Sequence, residues 1–160
     1  MGCAETFFEE MVHEAPTLTR AIRYPPMAAA PAAGHLWAAP HADINLITAL
    51  PRATAAGLEV EVNGRWQAAA PPEGGVILNT GLMLERLSNG TIPAGWHRVV
   101  APPGASGERH SVVQFCHPRP STILAPVPSC CTATNPQRWA GVRAAEALEE
   151  VLYRINLMGS

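Results

Sequence analysis

The sequence is poor in charged side chains and has no long apolar run. Only 15% of its 160 residues are charged, whereas 48% are hydrophobic, so the chain can bury a core and is not expected to be disordered. The net charge of −2 gives no basic excess that would indicate nucleic acid or an anionic membrane surface as a partner. Because no apolar stretch reaches bilayer length, we expect neither a signal peptide nor a transmembrane segment.

Cysteine is also scarce, and its distribution excludes the common zinc folds. Cys3, Cys116, Cys130 and Cys131 have spacings that match no zinc ribbon, and the adjacent pair is poorly placed to form a mutual disulfide. Reduced thiols of this kind are typical of a reducing compartment. The sequence therefore predicts a cytoplasmic protein.

Short apolar segments separated by turn residues run through most of the chain. The 16 prolines and 13 glycines favour many short strands, and Asn63-Gly64 between two such segments predicts a hairpin. Apolar residues at helical spacing predict one helix over residues 4–14 and another from Asn135 to Ile155. These patterns indicate a single domain over residues 1–160, a β-sandwich or barrel flanked by N- and C-terminal helices.

The segment His41-Ala42-Asp43 is the first candidate site. We predict a strand over residues 41–50, in which His41 and Asp43 point to the same face because strand side chains alternate. With His97 from another strand, they would form the two-His-one-carboxylate face of non-haem Fe(II) oxygenases. His-x-Asp is a weak pattern by itself, and Asp43 could instead form only local hydrogen bonds.

The surrounding segments resemble the catalytic core of the iron(II)/2-oxoglutarate-dependent dioxygenases, in particular the isopenicillin N synthase-like branch. The resemblance covers about residues 23–118 and rests on motifs that occur in order: His-x-Asp, the LITAL run, Gly-Leu-Glu-Val, Ser-Asn-Gly, His-Arg-Val and Arg-x-Ser. It implies a double-stranded β-helix, or jelly roll, and Fe(II) ligands at His41, Asp43 and His97.

The resemblance also implies the co-substrates. Arg109 and Ser111 match the family's Arg-x-Ser pair, which binds the distal carboxylate of 2-oxoglutarate, and a guanidinium fork suits a carboxylate. Tyr24 matches a tyrosine that binds a carboxylate of substrate or co-substrate, although core packing would explain it equally well. We therefore expect Fe(II), 2-oxoglutarate and dioxygen to oxidise a small molecule by hydroxylation, desaturation or ring closure, with release of succinate and carbon dioxide.

The chain departs from the family pattern at its start. Family members usually carry a long N-terminal half before the Arg-Tyr-Pro segment, which this sequence reaches at Arg23. We expect that half to be absent, which would uncover a sheet face and favour a homodimer. Two alternatives remain open: an Fe(II)/dioxygen oxidase that does not use 2-oxoglutarate, as isopenicillin N synthase does not, and a truncated non-catalytic core that serves as a binding module.

Overall fold

A computed structural model describes residues 1–26, 36–101 and 107–154 of the chain. Within these ranges there are ten β-strands, three α-helices and one 3-10 turn. The strands are β1 (Thr17–Tyr24), β2 (Leu36–His41), β3 (Ile47–Pro51), β4 (Leu58–Val62), β5 (Arg65–Ala68), β6 (Val76–Thr80), β7 (His97–Val100), β8 (Arg109–Cys116), β9 (Ile123–Leu124) and β10 (Val142–Arg143). The helices are α1 (Phe7–Val12), α2 (Leu82–Leu87) and α3 (Ala144–Arg154), and the 3-10 turn is Pro128–Cys130.

Two four-stranded antiparallel sheets form the body of the protein. One has the order β1-β8-β3-β6 and the other β2-β7-β4-β5, and strands of both line a shared cavity. The prediction of a mainly β fold is therefore confirmed. The β4–β5 hairpin is also confirmed, because Asn63 (φ 52°) and Gly64 (φ 74°) have the positive φ angles that a tight hairpin turn requires.

The main apolar core lies beside the sheets rather than between them. Met11 of α1, the α2 side chains and Ala144 and Ala147 of α3 pack with Leu46 and Leu124, and Leu87 and Leu124 are fully buried. The three helices thus close one flank of the sandwich. The space between the sheets is left to a cavity with polar side chains. Among the described helices, none is long and apolar enough to cross a membrane.

The prediction of one strand over residues 41–50 is wrong. His41 is the last residue of β2, Ile47 is the first of β3, and these strands belong to different sheets. Local hydrogen bonds close the connecting bend: the Asn45 amide donates to the Ile47 carbonyl (2.8 Å), and the Thr48 hydroxyl donates to Asp43 (2.7 Å). Asp43 therefore lies in a bend between the sheets and not on a strand.

The predicted start of the C-terminal helix is also wrong. The helix α3 begins at Ala144 rather than near Asn135, and Ile155 lies outside the described residues. Instead of capping a helix, the Asn135 amide donates to the backbone carbonyls of Asn89 (3.2 Å) and Cys130 (3.0 Å). This bonding holds the segment before α3 against the turn that follows α2.

Candidate metal and co-substrate site

Three of the predicted site residues meet at one end of the cavity. His41 and His97 are direct partners in the β2–β7 pairing, and their ring centroids are 4.3 Å apart. The Nε2 atom of each imidazole lies 3.9 Å from Oδ1 of Asp43, which the bend after β2 supplies. The candidate ligand atoms all lie within 4.8 Å of one another, and no other group of three such residues occurs in the described part of the chain.

Backbone carbonyls orient both imidazoles. Nδ1 of His41 lies 2.8 Å from the Ala39 carbonyl oxygen, and Nδ1 of His97 lies 3.0 Å from that of Gly95. When Nδ1 carries the proton and donates it to the carbonyl, the Nε2 lone pair is left facing Asp43. Burial lowers the pKa of His97, which favours the neutral form that a metal ion requires.

Two polar side chains hold the Asp43 carboxylate, which is itself buried. The Thr48 hydroxyl donates to Oδ2 over 2.7 Å, and the Asn79 amide donates to the same oxygen over 3.2 Å. These bonds use Oδ2 and leave Oδ1 facing the imidazoles. Neither supporting residue is predicted from the sequence, because a single Thr or Asn inside an apolar strand carries no pattern that distinguishes it from an ordinary strand residue.

Asn79 reaches this position because the backbone approaches it closely at Gly95. The amide of Asn79 lies 3.2 Å from the Gly95 carbonyl oxygen, and a Cβ atom at Gly95 would lie 2.1 Å from Oδ1 of Asn79. Since real Cβ atoms do not approach other atoms so closely, only glycine leaves Asn79 undisturbed here. The segment before β7 therefore supports both Asp43 and His97.

Arg109 begins β8 and is buried in the cavity wall, with 4% of its surface exposed. Its Nε donates to the Ala55 carbonyl over 3.2 Å, whereas its buried Nη1 nitrogen has no partner among the described residues. Burial lowers the pKa of Arg109, but a guanidinium stays charged in proteins. A buried cationic donor without an acceptor is costly, so this geometry fits an anionic ligand that would complete it.

Aromatic rings support the guanidinium from one side. Tyr24 is the β1 partner of Arg109, and its ring centroid lies 5.0 Å from the guanidinium carbon. The Trp37 ring lies 5.3 Å from that of Tyr24. The buried Tyr24 side chain lines the cavity, and its ring stabilises the guanidinium of Arg109 through a cation–π contact.

Ser111 completes the set of predicted residues. It is half-buried, lies two positions after Arg109 on the same strand face, and lines the same cavity of about 550 Å³ as the metal candidates. His110 lies between them and faces the opposite side, where its Nε2 atom lies 3.3 Å from Oε2 of Glu108. The structure thus brings all six predicted site residues to one cavity.

Comparisons with known proteins agree with this arrangement. The family model described as the 2OG-Fe(II) oxygenase superfamily matches residues 11–118. The chain belongs to this superfamily. Gibberellin 20 oxidase 2 from Oryza sativa subsp. indica is 30% identical over 132 residues, which are 82% of this chain and 33% of that protein.

Solved structures of the superfamily share the fold. A 2OG-Fe(II) oxygenase family protein from Caulobacter crescentus has a TM-score of 0.85 and 37% identity, over 93% of this chain and 49% of that one. A full-length Neurospora crassa protein in complex with alpha-KG and thymine has a TM-score of 0.82 and 27% identity, over 93% of this chain and 47% of that one. The jelly-roll prediction is confirmed. The chain spans about a third of the curated relatives and about half of the solved chains.

Proposed function

We propose that this chain carries the catalytic centre of an Fe(II)- and 2-oxoglutarate-dependent dioxygenase that oxidises a small molecule with release of succinate and carbon dioxide. The observation that carries the proposal concerns buried Arg109, which lines the same cavity as the His41, Asp43 and His97 cluster. Its Nη1 nitrogen has no partner in the part of the chain that the structure describes. A cation fixed at a distance from a metal site suits a ligand with two acidic ends. The complex of the Neurospora crassa protein with alpha-KG supports this choice of co-substrate.

Each residue has a defined role in this proposal. Nε2 of His41, Oδ1 of Asp43 and Nε2 of His97 would hold Fe(II) on one side and leave its remaining positions open. The bound metal, with 2-oxoglutarate and dioxygen, would supply the oxidising chemistry. Arg109 and Ser111 would bind the distal carboxylate, and the Tyr24 ring would keep the guanidinium in place.

The charges of the cavity favour a dianionic co-substrate. The Asp43 carboxylate offsets one of the two charges of Fe(II), which leaves one positive charge at the metal end. Arg109 provides a second positive charge at the other end. A molecule with a keto acid at one end and a carboxylate at the other, such as 2-oxoglutarate, neutralises both without burying an unpaired charge.

Product analysis tests the proposal against its two alternatives. Protein supplied with Fe(II), 2-oxoglutarate and oxygen is expected to release succinate, even slowly in the absence of its substrate, and Asp43→Ala should not. Oxygen consumption without any dependence on 2-oxoglutarate would favour the oxidase that does without this co-substrate. Folded protein that consumes neither oxygen nor 2-oxoglutarate would favour a non-catalytic core.

The free thiols and an exposed apolar sheet face support two further proposals, one on cellular location and one on oligomeric state. All four cysteines are free thiols, which supports the cytoplasm as the working compartment. Val76 and Leu78 lie on the outer face of the β1-β8-β3-β6 sheet with 49% and 69% of their surface exposed. A second copy could cover them. Light scattering of the protein and of Leu78→Asp would test a homodimer, which the variant should weaken.

A further inference from the structure

Two arginines with no role in the proposed chemistry line the same cavity. Arg20 lies on β1, where Arg20, Ile22 and Tyr24 occupy alternate positions of one strand face, and Arg52 directly follows β3. Three arginines therefore line the cavity: Arg109, which is buried, and Arg20 and Arg52, which are exposed. The only carboxylate that lines it among the described residues is that of Asp43.

Neither additional arginine has an acidic partner. All Asp and Glu residues of the sequence lie in the described ranges, and none comes within the 4.0 Å of a salt bridge to Arg20 or Arg52. Arginines on the outer faces of the sheets differ in this respect, since Arg23 pairs with Glu108 and Arg98 with Glu59. Arg20 and Arg52 are exposed, so positive charge without an acidic partner lies at the solvent-accessible wall of the cavity.

Arg20 is separated from the proposed 2-oxoglutarate site along the strand. In the β1–β8 pairing, Tyr24 lies opposite Arg109, whereas Arg20 lies opposite Val113. Four strand residues correspond to about 13 Å between the backbone positions of Arg20 and Tyr24. The two arginines are therefore suited to two different anionic groups.

Arg20 is closer to the level of the metal candidates. Thr48, which holds Asp43, pairs with Phe115 of β8. Arg20 pairs with Val113, which is two residues before Phe115 on the same strand. Since β1 is an edge strand of its sheet, Arg20 lies to the side of the line from the metal end to Arg109. In this register Arg20 lies nearer than Arg109 to the strand level of Thr48.

We propose that the substrate is a carboxylate anion whose charged group is bound by Arg20, with Arg52 adding a second positive charge at the cavity wall. This inference rests on the proposed function. In that function 2-oxoglutarate neutralises the positive charges of the metal centre and of Arg109, but not those of Arg20 and Arg52. A guanidinium can bind a carboxylate through two parallel hydrogen bonds. Leu50 and Val99, which line the same cavity, provide apolar surface for the body of the molecule.

Matched acids and amides test the proposal, since each pair differs mainly in charge. The full chain is loaded with Zn(II), which avoids oxygen chemistry, and with saturating 2-oxoglutarate, whose binding is measured first. Ligand-observed NMR titrations then give dissociation constants for hexanoate, 3-phenylpropionate and 4-phenylbutyrate and for their primary amides. At least one acid should bind roughly tenfold or more tightly than its amide, as a charge-assisted contact predicts.

Variants identify the residue responsible. Arg20→Gln should abolish the preference for the acid, and Arg20→Lys should retain part of it. Arg23→Gln, on the same strand but the outer face, is the matched control and should leave the preference unchanged. No preference for acids, whether acid and amide bind alike or neither binds, or an unchanged preference in Arg20→Gln would overturn the proposal. Failure of the proposed function would be seen separately, as the absence of 2-oxoglutarate binding before any acid is added.

Discussion

Thr48 donates a 2.7 Å hydrogen bond to Oδ2 of Asp43, and this bond joins a strand of one sheet to the bend that leaves the other. Both residues are buried, so water does not replace the bond when it is lost. The bond fixes which carboxylate oxygen faces the imidazoles of His41 and His97. The geometry of the candidate metal site therefore depends on a residue that would not itself touch the metal.

Replacing Thr48 by Val should weaken Fe(II) binding. The change keeps the shape of the side chain but removes the donor to Asp43, and loss of such a supporting bond typically lowers metal affinity about tenfold or more. Thr48→Ser, which retains the hydroxyl, is the matched control and should bind Fe(II) nearly normally. Anaerobic competition with a chelator measures both affinities, and equal affinities of Thr48→Val and the unchanged protein would contradict the role.

Replacing Arg109 by Gln should weaken 2-oxoglutarate binding while sparing Fe(II). Loss of a charge-assisted contact is worth about 1.5–3 kcal/mol, which corresponds to roughly ten- to a hundredfold in the dissociation constant. Arg119→Gln provides a control outside the cavity lining. Calorimetric titration of the metal-loaded proteins measures the difference. An unaltered 2-oxoglutarate affinity would remove Arg109 from the co-substrate site.

Replacing Gly95 by Ala should disturb the metal site from outside its ligands. The added Cβ atom would lie 2.1 Å from Oδ1 of Asn79, so the amide must move away from Asp43 and His97. We expect Fe(II) affinity to fall several-fold. Gly107→Ala, where a Cβ atom meets nothing within 4 Å, is the matched control. Equal Fe(II) affinities of these two variants would show that Asn79 does not position the ligands.

Replacing Asn89 by Ala should destabilise the fold without touching the cavity. The buried Asn89 amide donates to the carbonyls of Cys130 (3.4 Å), Asn135 (3.1 Å) and Pro136 (3.0 Å), and its oxygen accepts from the Arg138 backbone N–H (2.8 Å). We expect a loss of about 2–4 kcal/mol in the free energy of unfolding, measured with urea.

A glycine variant separates the two causes of that loss. Asn89 has a φ of 52°, which costs an alanine about 1 kcal/mol but a glycine little. Asn89→Gly should therefore be less destabilised than Asn89→Ala by about that amount. If neither variant changes the urea midpoint, the hydrogen bonds of Asn89 do not hold the segment before α3.

The sequence predicts which residues come together at the candidate site better than it predicts the path of the chain between them. His41 and His97 follow from the motifs, and so does the placement of Arg109 and Ser111 on one face of a strand. The bend at Asp43 does not, because the apolar residues from Ile44 onwards fit a continuous strand equally well. What breaks the strand is side-chain hydrogen bonding by Asn45 and Thr48, and local hydrogen bonds of this kind leave no periodic signal.

Anaerobic addition of Fe(II) and then 2-oxoglutarate tests the central claim most directly. A weak visible charge-transfer band that saturates with the co-substrate is expected, because His41, Asp43 and His97 would hold the metal while Arg109 holds the distal carboxylate. Arg109→Gln should require more 2-oxoglutarate to reach the same band. Fe(II) binding without the band would contradict the use of this co-substrate, and no Fe(II) binding by the folded protein would contradict the metal site itself.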